Sequence, residues 1–142
     1  MMDKVKYTNI EKENKKLISE FEKYLNSKNL APKTVQKHVD AAYFYIDVFL
    51  NDHYVVSAKE GINYTYIADY FDYFFIRKCM WSTPGTLRSE VASIKKFYAF
   101  MYEKGLVSDE DFDEFRYMIK ESIDDWCEDC QIYNDGGEYI PI

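Results

Sequence analysis

The chain has 142 residues, with 18 Lys and Arg against 25 Asp and Glu and a net charge of -7. A hydrophobic content of 47% is enough to bury one core and excludes a disordered chain, and the length supports a single domain. Five glycines and three prolines leave little room for linkers or for the many turns of a β-sandwich, so helix is the expected structure.

Ile10, Leu17, Ile18, Phe21, Tyr24 and Leu25 recur on one helical face, which predicts a first helix capped by Thr8 or Asn9 and running to about Lys28. Pro32 suits the first turn of a second helix, in which Val35, Val39, Ala42, Ile46, Phe49 and Leu50 keep the rhythm up to Asn51 and Asp52. From His53 to Asn63, around Gly61, no period is sustained and a loop is expected; Ile67, Tyr70, Phe71, Phe74 and Phe75 then mark a third helix. Ser82-Thr83-Pro84-Gly85 breaks the pattern. Leu87, Val91, Ile94, Tyr98 and Met101 resume it as a fourth helix, with Gly105 placed to end it. Ser108 or Asp109 caps a fifth, with Asp109, Glu110 and Asp111 favouring its N-terminus and Phe112, Phe115, Ile119, Ile123 and Trp126 on its inner face. The expected fold is therefore an all-α, single-domain bundle of about five helices over residues 1–126. Residues 127–142, with Gly136-Gly137 and an apolar Tyr139-Ile140-Pro141-Ile142 end, read as an irregular acidic tail.

The aromatic runs Tyr43-Phe44-Tyr45 and Tyr70-Phe71-Asp72-Tyr73-Phe74-Phe75 follow helical spacing and do not alternate with Lys and Arg. They are expected to fill the core, not to form a base-stacking platform. Met1 to Lys16 has no apolar stretch, and no later run approaches the ~18 residues of a membrane span. Three cysteines, an odd number, do not make a disulfide framework, and a cytoplasmic location is expected. Charge is unevenly placed. Residues 1–104 hold 16 Lys and Arg against 13 Asp and Glu, net +3, whereas residues 105–142 hold 2 against 12, net -10.

The second helix opens as Asn29-Leu30-Ala31-Pro32-Lys33-Thr34-Val35-Gln36-Lys37-His38, and the fourth as Ser82-Thr83-Pro84-Gly85-Thr86-Leu87-Arg88-Ser89. The fourth continues through Ile94-Lys95-Lys96-Phe97-Tyr98-Ala99-Phe100 into Met101-Tyr102-Glu103-Lys104-Gly105-Leu106-Val107. From Leu17 to Val107 this order resembles the N-terminal, SAM-like core-binding domain of tyrosine recombinases and phage integrases. Two features depart from that family: His38 stands where it usually carries Tyr, and Ser108-Asp109-Glu110-Asp111 replaces the usual Asn-Pro passage into a catalytic domain. In the family this domain is half of a clamp around duplex DNA. The resemblance implies that Lys33, Thr34 and Lys37 of the second helix and Thr86, Arg88, Ser89 and Lys95 of the fourth lie near DNA, at two adjoining helix starts. Hydroxyls, helix N-terminal amides and cations are suitable partners for phosphate, although each of these residues is also an ordinary cap or solvated residue.

Strand cleavage in that family needs a Tyr nucleophile among Arg, His and Lys residues. Arg77, Arg88 and Arg116 are the only arginines and none belongs to an Arg-His-x-x-Arg arrangement, so no catalytic residue and no enzymatic activity are expected. No Walker-type loop or Gly-x-Ser-x-Gly elbow occurs. Cys127-Glu128-Asp129-Cys130 superficially matches a redox dithiol or half a zinc site. A helical pattern lacks the βαβ setting of the first, and His38, His53 and Cys79 are the only other Cys or His for the second. Neither a metal nor a cofactor is expected.

The expected function is that of a non-catalytic, duplex-DNA-binding module, a regulator or remnant of site-specific recombination, with a full-length recombinase or another protein as a further partner. The alternative is a protein-interaction module on the same fold that uses its acidic end or exposed aromatics. The acids Asp124, Asp125, Glu128, Asp129, Asp135 and Glu138 are expected to compete with phosphate for the basic helix starts or to repel approaching DNA.

Overall fold

The computed structural model describes residues 3–79 and 81–136. Among these the architecture is all helical, without a strand: α1 (Lys4–Ser27), α2 (Pro32–Tyr43), α3 (Tyr64–Asp69), α4 (Phe75–Lys78), α5 (Pro84–Glu103) and α6 (Asp109–Asn134). A π-helical segment, Phe44–Asn51, prolongs α2, and a second, Tyr70–Phe74, joins α3 to α4, so the chain forms five continuous rods.

Local chemistry sets the ends of these rods. Asp3 starts α1, accepting from the Val5 and Lys6 amides at 3.0 Å each. This corrects the expected cap at Thr8 or Asn9; the first buried position is Ile10, so the apolar rhythm begins two turns after the helix does. Asn29 then leaves α1 in the left-handed conformation, φ 60°. Thr83 and Thr86 form a capping box at the start of α5. Gly105, φ +74°, ends α5 as expected, and the Leu106 amide donates to the Met101 carbonyl at 2.9 Å in a Schellman arrangement. Ser108 caps α6 by accepting from the Asp111 amide at 3.0 Å.

The expected break after Trp126 does not occur. Trp126, Cys127 and Cys130 are all buried and carry α6 on to Asn134. The irregular tail expected over 127–142 is thereby corrected: its first eight residues, Cys127 to Asn134, are helical, with Tyr139 to Ile142 and Glu138 outside the described residues.

Two helical hairpins frame the molecule. In the first, α1 runs back along α2: Asn14 Nδ2 donates to the Ile46 carbonyl at 3.1 Å and to Asp47 Oδ1 at 3.0 Å, and the Tyr7 hydroxyl donates to Asp52 Oδ1 at 2.7 Å. Asn14 inserts into the carbonyl ladder where the helix is π-wound, as side chains at widened turns do. In the second hairpin, α5 and α6 run antiparallel over their whole length, from the Tyr102–Phe112 stack at 4.6 Å to Asn134 Nδ2, which donates to the Ser82 carbonyl at 2.7 Å.

The core between the hairpins is aromatic. Tyr45, Tyr70, Phe71, Phe75, Phe97 and Tyr98 are fully buried, which bears out the packing role of both aromatic runs. Tyr73, 52% exposed, is the aromatic member of those runs that faces water. The segment expected as a loop, His53 to Asn63, holds one 3-10 turn, Glu60–Ile62, and is fastened to the core by two tyrosine hydroxyls. Tyr45 donates to the Gly61 carbonyl at 2.6 Å and Tyr98 to the Ala58 carbonyl at 2.8 Å. No helix among the described residues is long and apolar enough to cross a membrane.

Candidate nucleic-acid interface

The relation between α2 and α5 decides which of the basic residues share a surface. The last turns of α1 lie on the last turns of α5, with Phe21 5.3 Å from Phe97 and from Phe100 and Tyr24 5.2 Å from Phe100. The start of α2, four residues beyond α1, is therefore at the C-terminal end of α5. At the other end of α2, Phe44 meets Trp81, just before α5 begins, at 5.8 Å. Between these two ends His38 Nδ1 and Ser93 Oγ are hydrogen-bonded at 2.8 Å. The two helices run antiparallel, so Thr34 and Thr86 lie on opposite sides of the His38–Ser93 contact, about 16 Å apart along the axes at 1.5 Å per residue. The expectation of two adjoining helix starts is corrected: the seven residues do not gather at one end of the bundle but are spread along α5.

They divide into two groups. In the first, Lys33 and Lys37 stand one turn apart on the exposed side of α2, with Thr34 half-buried beside them. Across from them on α5 are Lys95 and its neighbour Lys96, which sequence reasoning passed over. Lys95 and Lys96, with His38, Ala92 and Ala99, line a shallow groove of about 380 Å³. The small side chains of Ala92 and Ala99 keep the groove open. His38, 8% exposed, is held below its ordinary pKa of 6.5, first by burial and then by the nearby charges of Lys37 and Lys96. A neutral imidazole is what this arrangement stabilises at neutral pH. Ser93 is fully buried, so its hydroxyl is a partner for His38 and is closed to substrate.

The second group, Thr86, Arg88 and Ser89, sits at the start of α5 under the C-terminal half of α6. The Thr86 hydroxyl accepts from the Thr83 amide at 2.7 Å and approaches the Trp81 carbonyl at 2.9 Å, so it is spent on capping. Arg88 Nη2 contacts Asp124 Oδ1 at 2.7 Å. Ser89 is half-buried. Lys33, Lys37, Lys95 and Lys96 take part in none of the three ion pairs formed among the described residues, which are Arg88–Asp124, Lys104–Glu20 and Arg116–Asp113.

Cys79, Cys127 and Cys130 are buried free thiols. Burial pushes Cys79 up to about 11, with the charge of Glu90 adding to it, and burial likewise raises Cys127 and Cys130. Among the described residues no group of three His, Cys, Asp or Glu is arranged to hold a metal ion. Comparison of the chain with protein-family models, with curated proteins and with solved structures finds no match in any of the three.

Proposed function

We propose that the protein is a non-catalytic module that binds duplex DNA through the α2–α5 groove. The observation that carries this reading is the set of four lysines, Lys95 and Lys96 lining the groove and Lys33 and Lys37 on the exposed side of the neighbouring α2, that have no carboxylate partner among the described residues, in a chain whose net charge is -7. Left unpaired, they create a local positive field that attracts phosphate irrespective of base sequence. The resemblance of this part of the chain to the core-binding domain of tyrosine recombinases supports the same partner and makes a regulator or remnant of site-specific recombination the biological setting we favour. The docking differs from what that resemblance implies, because it uses the flank of α5 and the start of α2 in place of two helix starts.

The test is a duplex-binding titration over a series of salt concentrations. Affinity is expected to fall steeply as salt rises, and replacing Lys37, Lys95 and Lys96 with Ala should flatten the slope of log K against log salt by about two to three. All three side chains are exposed, so the variant should fold as the wild type does. A folded wild-type protein that binds no duplex at low salt refutes the reading in favour of a protein-interaction module.

A further inference from the structure

We infer that the C-terminal half of α6 is an autoinhibitory latch that withholds Arg88 from duplex DNA, an inference that rests on the groove reading above. Arg88, Ala92 and Lys95 follow one another at intervals of four and three and so form one exposed stripe along α5, which the half-buried Ala99 continues. At 1.5 Å per residue Arg88 is only about 10 Å along the axis from Lys95, which puts it within reach of the same bound duplex. The two ends of the stripe are treated differently. Lys95 has no carboxylate partner among the described residues, whereas Arg88 is engaged by Asp124 at 2.7 Å.

Asp124 does not reach Arg88 from a loose tail. The last turns of α6 are fastened on several sides: Trp126 stacks on Phe71 at 5.2 Å, the Arg77 guanidinium lies 5.6 Å from the Tyr133 ring, and Asn134 donates to the Ser82 carbonyl at 2.7 Å. The carboxylate is thus presented in place, with little of the ordering cost that a flexible competitor carries. Exposed Asp125 and Glu128 on the same half-helix add negative field within the ~10 Å screening length. The pair itself is 52% and 87% exposed on its two sides, and ion pairs so open to water contribute little to folding. Removing it should therefore free the guanidinium and leave the fold intact.

The experiment titrates a labelled mixed-sequence duplex into the full chain across a salt series. It compares wild type, Asp124→Asn, Arg88→Ala, the Asp124→Asn/Arg88→Ala double variant and Lys95→Ala, each checked for native circular dichroism. Asp124→Asn is expected to bind several-fold more tightly at low salt, with a log–log salt slope steeper by about one, the signature of one added phosphate contact. Arg88→Ala alone should bind nearly as wild type, and the double variant should lose the gain. If Asp124→Asn matches wild type in affinity and slope while Lys95→Ala binds more weakly, the latch is overturned and the groove reading stands. A gain that persists in the double variant also overturns the latch, since Asp124 would then repel DNA without acting through Arg88. Absence of binding by all five proteins at low salt overturns the latch together with the groove reading.

Discussion

Gly61 shows how little room a single position of this core leaves. A Cβ there would stand 2.2 Å from Leu50 Cδ1 and 2.9 Å from the Tyr98 hydroxyl, and the same residue offers its carbonyl to Tyr45. Gly61→Ala should destabilise the protein by about 1–3 kcal/mol, because both neighbours belong to fully buried side chains that have nowhere to move. Tyr98→Phe should cost about 1–3 kcal/mol by leaving the Ala58 carbonyl without its partner. Urea denaturation of the two variants measures both effects; midpoints equal to wild type would mean that the 57–62 segment is not anchored as described. At His38 the expected outcome is spectroscopic: its imidazole should titrate below 6.5 by NMR, and a midpoint at or above that value would mean that the ring is not buried in the α2–α5 contact as described. The sequence showed His38 only as a departure from a family pattern. Its contact with Ser93 links residues 55 apart, and nothing local in either segment announces it.

Among the elements, α6 carries most of the difference between what the chain predicts and what it forms. Its first half was legible, since Ser108, three acids and the spacing from Phe112 to Trp126 are strong local signals. Beyond Trp126 it was hidden because Glu128 and Asp129 stand in the sequence between Cys127 and Cys130, and both buried positions are cysteines, which weigh little in an apolar count. The two π-helical segments were equally hidden: from Tyr43 to Leu50 nearly every residue is apolar, so no period could reveal where the turn widens. Where α6 meets the second of these segments, the Asp72 carboxyl is pushed up to about 6, first by burial and then by the hydrogen bond and charge of Asp129, with Asp125 adding to the rise and Arg77 opposing it. The folded state therefore holds a proton that the unfolded chain, with its ordinary value of 3.8, has already released. Stability from this group is present below about pH 4 and is lost as pH rises through about 6. Asp72→Asn should raise the urea midpoint at about pH 8 and leave it unchanged at about pH 4. A variant with the same offset at both values would show that the two carboxyls do not share a proton.

On the scale of the whole molecule, the helix content and the aromatic core could be read from periodicity, but the directions of the helices could not. That α2 and α5 run antiparallel follows from Phe21 and Tyr24 packing on the end of α5 and Phe44 packing beside its beginning, contacts made across the full bundle. For that reason Lys33, Lys37 and Lys95 could be picked out as exposed cations, while their separation from Thr86, Arg88 and Ser89 became visible only with the fold. The burial of the three thiols has a kinetic consequence. A thiol that is inaccessible and protonated reacts with an alkylating reagent only when its surroundings open, so labelling rates read the free energy of opening site by site. Cys127 and Cys130 ride on the end of α6, whereas Cys79 follows α4. If the end of α6 detaches as a unit while the rest of the molecule stays folded, Cys127 and Cys130 will label together and ahead of Cys79; equal rates at all three would mean that the bundle opens only as one piece.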